Sequence, residues 1–159
     1  CSWRENVGLP NTNVGGKLTV TAEAATSVSL STWTTALGTF TPSYLSHFDE
    51  PSNGQIRHLG DDPREYLIFT DLELESSLSN EVGVRFMKWD DSASSESPIA
   101  ESEQIRQINN TGSTDKAFFH VSADVTLDKN DYVYLQVINN TATNSITVLD
   151  SSYFRVTVR

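Results

Sequence analysis

Between Ala117 and Asn139 apolar residues recur at every second position. Phe119, Val121, Ala123 and Val125 form one set, and Val133, Leu135 and Val137 form another beyond the polar run Leu127-Asp128-Lys129-Asn130-Asp131. A period of two places each set on one buried face, and the short turn between them predicts an antiparallel hairpin. Tyr132, Tyr134 and Gln136 occupy the alternate face. They are too polar for a core and too aromatic for plain solvent, a mixture that reads as a subunit contact.

The same alternation marks Lys17 to Ala22, around Leu18 and Val20, and Ser27 to Trp33, around Val28 and Leu30. Thr39 to Thr41 and Tyr44 to Phe48 follow, then the turn Glu50-Pro51-Ser52-Asn53-Gly54 and a short strand from Gln55 to Leu59. Glu65 to Glu75 is the most apolar strand, entered through the turn Asp61-Asp62-Pro63, and Val82 to Trp89, Ser145 to Leu149 and Tyr153 to Val158 complete the set. About ten short strands without a substantial helix predict an all-β chain folded as a two-sheet antiparallel jelly-roll sandwich. A parallel α/β fold is excluded because no crossover helix is present to connect its strands.

Two segments fall outside this pattern. Cys1 to Gly16, with Pro10 and three glycines, predicts an extended N-terminal arm ahead of a single domain over residues 17–159. Asp90 to Gly112 reads as a long irregular loop, within which Glu101 to Ile108 fits either one helical turn or a short strand. A loop of that length in a compact domain is either functional or mobile. It is therefore the first candidate for recognition, with Trp89 at its base and Asp90, Asp91, Ser92 and Glu96 as the residues expected to meet a receptor. An exposed Trp89 indole would stack on a sugar face, and the bland alternative makes it a rim residue shielding the sheet edge.

Composition narrows the partners. The 159 residues suffice for one core, and a net charge of -10 argues against binding nucleic acid or anionic lipid. No apolar run approaches the roughly 18 residues of a membrane span, so no membrane insertion is expected. Cys1 is the only cysteine, so the fold holds without an intrachain disulfide. Met87 is the only methionine, which makes residue 1 the product of processing or excerpting; a lipid-bearing Cys1 is the minor alternative.

Candidate chemistry is sparse. His47, His58 and His120 stand apart with no metal spacing and read as surface or interface residues. No Gly-x-Ser-x-Gly elbow is present. Asp61/Asp62 and Asp90/Asp91 are better explained as turn formers than as catalytic or Ca²⁺-binding pairs, and Glu73/Glu75 share one strand face. Asn109-Asn110-Thr111 and Asn139-Asn140-Thr141 match the glycosylation sequon but read as turns. No catalytic residue, metal or cofactor is expected.

The run from Val125 to Asn139 resembles the penultimate hairpin of the C1q/tumour-necrosis-factor-like jelly roll, whose pattern is V-x-L-x-x-G-D-x-V-x-L-x-V-x-N. Asn130 stands where glycine is usual, a change its tolerance of left-handed backbone permits. The order of the other strands from Phe40 to Arg159 agrees, and the version found in bacteriophage tail fibres, tail needles and capsid appendages is the more similar. The resemblance implies a homotrimer on a virion, a non-enzymatic appendage or decoration domain for host attachment. Its partners would be a host-surface glycan or protein, or other virion proteins. Tyr132, Tyr134, Gln136, Tyr153 and Arg155 would face neighbouring subunits, while Val133, Leu135, Val137, Phe154, Val156 and Val158 fill the core. Two rivals remain: a secreted or lipid-anchored bacterial carbohydrate-binding module at the cell surface, and a polysaccharide-degrading enzyme.

Overall fold

A computed structural model describes residues 14–76, 79–109 and 115–159, and these form strands and no helix. In chain order the strands are β1 (Gly15–Ala22), β2 (Ala25–Thr26), β3 (Thr34–Thr35), β4 (Thr39–Ser46), β5 (Phe48–Asp49), β6 (Ile56–His58) and β7 (Arg64–Ser76). They continue as β8 (Asn80–Asp90), β9 (Ser95–Pro98), β10 (Gln104–Ile108), β11 (Asp115–Leu127), β12 (Tyr132–Asn139), β13 (Ile146–Val148) and β14 (Tyr153–Val158). In the first sheet β7 pairs with β11 on one side and with β13 and β14, end to end, on the other; β2 extends β13, and β1 and β4 extend β14. In the second, β8 lies between β12 and the end-to-end pair β10 and β9, and β12 carries β3 and β6 on its far side, with β5 beyond. All these pairings are antiparallel, as the alternation predicted.

The inner faces pack as expected. Val133, Leu135 and Val137 of the second sheet meet Phe154, Val156 and Ile68 of the first, all buried, while Val158 is half-buried. Phe86 and Phe154 join the sheets with ring centroids 5.1 Å apart. Fully burying each such side chain contributes about 1.5–3 kcal/mol, which is what drives the two sheets together.

The expected hairpin is not one. β11 pairs along its length with β7, from Asp115↔Ser76 to Leu127↔Arg64, whereas β12 pairs with β8, from Tyr132↔Trp89 to Asn139↔Val82. The turn at Asp128–Asp131 carries the chain from one sheet to the other. Alternation reports which face of a strand is buried and not which strand it hydrogen-bonds, so the sequence pattern fits either connection. Ser145 to Leu149 and Tyr153 to Val158 likewise lie end to end along β7 and do not pair with each other.

The crossing turn is tied down locally. Asn130 adopts φ 70°, the left-handed conformation its place in the pattern implied. Buried Asp131 accepts hydrogen bonds from the Asp128 N–H at 2.9 Å and the Asp91 N–H at 3.0 Å, with Lys88 Nζ 3.6 Å away. The His58 N–H donates to the Asp131 carbonyl at 2.8 Å, and the Asn130 N–H returns one to His58. His58 is therefore a core residue and not the surface or interface histidine expected: it is 2 % exposed, with its ring 5.3 Å from both Phe48 and Tyr66.

Three other expectations change. Asp90 to Gly112 is not one irregular loop, because β9 and β10 add to the edge of β8. Every residue of β9 is exposed, so an edge strand with no buried side leaves no alternation to read. In β10, Ile105 is exposed and Ile108 buried, which fits the short strand and removes the helical turn. Ser27 to Trp33 is not a strand. Ser31 turns back at φ 53°, and the only pairing there is a single bridge from Leu30 to Asn139.

The first sheet starts inside the expected arm. Gly15 already pairs with Thr157, and a Cβ there would lie 2.3 Å from the Val156 carbonyl oxygen, so the close approach of β1 and β14 requires glycine. Cys1 to Asn13, Asn110 and Thr111 of the first sequon, and Gly112 lie outside the described residues. The second sequon is a turn, in which the Asn139 side-chain oxygen accepts the N–H groups of Thr141 and Ala142.

Candidate functional site

Each sheet turns one face to the core, which leaves two outward faces on opposite sides of the molecule. The five residues expected at a subunit interface are divided between them: Tyr132, Tyr134 and Gln136 project from the second sheet, and Tyr153 and Arg155 from the first.

On the second sheet register alone builds a row. Tyr132 lies opposite Trp89 of β8, which lies opposite Glu96 of β9. The Trp89 and Tyr132 rings stack with centroids 6.0 Å apart and planes 20° from parallel, and Tyr134 follows at 5.9 Å. The Tyr134 hydroxyl donates to Glu96 Oε2. Burial and the adjacent carboxylate push that hydroxyl's pKa far up, so it stays a neutral donor. Next along the strand, Arg85 Nε donates to Gln136 Oε1 at 2.9 Å while its guanidinium lies 4.4 Å from the centre of the Trp33 ring.

These side chains are covered from one flank by Thr35 and Ala36 and from another by Asn53, Gly54 and Gln55, leaving an open cleft of about 260 Å³ over Tyr132, Tyr134 and Gln136 with Glu96 at its wall. Tyr134 and Gln136 are consequently buried by their own chain, at 7 % and 9 % exposure. The sequence pattern singled out Tyr132, Tyr134, Gln136, Trp89 and Glu96, but as parts of two separate features. Their convergence with Gln55 and the Thr35–Ala36 segment depends on long-range pairing that no local spacing encodes.

Asp90 ends β8, and Asp91 and Ser92 lie in the turn that leads to β9. Asp90 Oδ1 accepts from the Ser92 hydroxyl at 2.8 Å and the Ala93 N–H at 3.2 Å, and these bonds hold its carboxyl below the usual range. Asp91 Oδ1 accepts from the Trp89 indole at 3.4 Å and fixes the ring. Of the expected receptor-binding set, Glu96 lines the cleft, Trp89 flanks it, and Asp90 and Ser92 shape the turn.

The outward face of the first sheet is different in kind. Phe69 and Tyr153 stack at 6.5 Å, the Arg155 guanidinium lies 5.0 Å from the centre of Phe69, and Lys17 Nζ lies 4.3 Å from the centre of Tyr153. The Tyr153 hydroxyl donates to Asp71 Oδ2 at 2.7 Å, and His120 Nδ1 meets the other oxygen. The Tyr153 bond, then His120, hold the Asp71 carboxyl below its ordinary range, and the same bond pushes the tyrosine up. Beside them Phe118 is 58 % exposed and borders a shallower hollow with Asp71, Glu73, His120 and Asp150. Arg155 Nε is buried without a hydrogen-bond acceptor among the described residues. Sequence reasoning identified Tyr153 and Arg155 but missed Phe69 and Phe118, whose outward positions follow from the alternation of β7 and β11.

Two antiparallel sheets of this topology define a jelly roll of the tumour-necrosis-factor-like class. No protein-family model matches the chain, and no curated protein matches it in sequence. Solved structures match in shape. Murine APRIL at pH 5.0 has a TM-score of 0.60 at 11 % identity, over 91 % of this chain and 98 % of that one. The pH 8.5 crystal structure of murine APRIL gives 0.57 at 13 %, over 89 % and 97 %. At such identity the likeness is one of fold.

Proposed function

We propose that this chain is a non-enzymatic recognition domain that assembles as a homotrimer and serves host attachment on a virus particle. The observation that carries the reading is the outward face of the first sheet, where Phe69 and Tyr153 stack beside Arg155 and, farther along the same face opposite Glu73, Phe118 stands 58 % exposed. A stacked aromatic pair and an exposed phenylalanine on one face, with an arginine nitrogen that lacks an acceptor among the described residues, have the composition of an interface core. A cyclic trimer joins unlike surfaces of successive subunits, so it takes up this face while leaving others free.

Three copies of one weak site on a rigid head bind a repetitive cell surface with avidity, which suits attachment. The viral setting is supported by the resemblance of Val125 to Asn139 to phage appendage domains. Hydrolysis is disfavoured by the cleft itself, because Glu96 is the one carboxylate among its described lining residues and a glycosidase requires two facing each other.

The test is adsorption. Host cells preincubated with the purified domain should take up fewer of the particles that carry it, and a labelled antibody against the domain should decorate those particles. Undecorated particles with unchanged adsorption would leave the monomeric bacterial carbohydrate-binding module as the better reading.

A further inference from the structure

We propose that the cleft on the outward face of the second sheet binds one neutral sugar unit. The ring face would lie on Tyr132 beside Trp89, with sugar hydroxyls on Glu96 and Gln136. The inference rests on the reading of the chain as a recognition domain but not on its trimeric state, since the cleft and the Phe118 face lie on opposite sides of the molecule.

Four observations select the ligand. The first is size: about 260 Å³ lies just below the usual range of small-molecule pockets, enough for a single ring but not for a folded partner's surface. The second is the aromatic platform. Trp89 and Tyr132 stack with planes 20° from parallel and both are half-buried, and Tyr132 lines the cleft, so Trp89 braces a tyrosine ring that can meet the apolar C–H face of a sugar. Asp91 holds the indole, and Gln55 lines the cleft with Tyr132, so the platform is set before the ligand arrives.

The third is the placement of polar groups. Glu96 is exposed and gives one oxygen to Tyr134, while a carboxylate has acceptor capacity for further donors, so a sugar hydroxyl can bond to it strongly. The Gln136 oxygen is taken by Arg85, which leaves its amide N–H donors for the ligand. A carboxylate acceptor and an amide donor above an aromatic plane match the alternating hydroxyls and apolar face of a sugar ring. The fourth is charge. Glu96 and Asp91 both raise the Tyr132 pKa through their fields, Arg85 is committed to Gln136 and Trp33, and the chain carries a net charge of -10. An anionic sugar would be repelled where a neutral one is not.

A glycan array containing neutral, amino-sugar and sialylated or uronic-acid oligosaccharides tests this, with hits titrated by tryptophan fluorescence. At least one neutral glycan is expected to bind. Tyr132→Ala and Trp89→Ala should each weaken it by about tenfold or more, Glu96→Gln should weaken it without altering the melting temperature, and Phe118→Asp should leave the affinity per site unchanged. Failure of every neutral glycan, binding confined to anionic ones, or a neutral hit insensitive to the Tyr132 and Glu96 substitutions would each overturn the proposal. So would a protein or peptide partner whose binding Tyr132→Ala abolishes while no glycan binds. Light scattering on the same samples separates this outcome from assembly: a monomer that binds the glycan through Tyr132 and Glu96 keeps the cleft proposal and discards the trimer.

Discussion

Asp131 links the fold to the candidate cleft. Its carboxylate holds the turn that crosses between sheets and, through the Asp91 N–H, the turn that positions Trp89. Asp131→Ala would strand the Asp128 and Asp91 N–H groups and leave Lys88 with only the Thr126 carbonyl, and a loss of about 3 kcal/mol in urea unfolding is expected. Leu135→Ala, which opens a cavity in the core, should cost about 2–5 kcal/mol by the same measurement. At Asp71 the carboxyl pKa is lowered by the Tyr153 hydroxyl and His120, so its stabilising contribution is complete above the unfolded carboxyl value of 3.8 and is lost as pH falls below it. Melting curves of the native chain and Asp71→Asn should therefore differ at neutral pH and converge in acid. Asn130 and Asp131 were legible in the sequence because a left-handed position and a turn carboxylate leave local signatures. His58 was not, since its burial depends on Phe48, Tyr66 and a turn some 70 positions away.

At the scale of elements, the long central strands were readable because each alternates apolar residues that face the core. Burial in β7, β11 and β14 follows the period of two, whereas β12 keeps the alternation in its sequence although its own chain covers both faces beyond Tyr132. What the pattern could not carry was partnership: β11 and β12 alternate as a hairpin would, yet each pairs in a different sheet. β9 escaped for the opposite reason, having no buried face at all. A loop can be shortened at little cost, but a paired edge strand cannot. Deleting Ser92 to Ser97 removes the turn and most of β9, and the melting temperature should fall by about 4 °C or more. An unchanged melting temperature would show that β9 contributes nothing to the sheet.

For the whole molecule, the sandwich presents two outward faces of different character, to which the proposals assign two tasks. One outward face offers aromatic and apolar surface, and the other offers a polar cleft beside stacked rings. The jelly roll was legible from strand count and the absence of helices, whereas this division of faces was not, because Tyr132, Tyr134 and Gln136 and the pair Tyr153 and Arg155 have the same half-polar alternation. Only the assignment of β12 and β14 to different sheets separates them. Assembly is the claim on which the attachment reading depends, and the mass of the purified chain at micromolar concentration tests it most directly. Light scattering should return three times the chain mass of 17.6 kDa for the native protein and a single chain mass for Phe118→Asp. A native protein measured at 17.6 kDa would contradict the account.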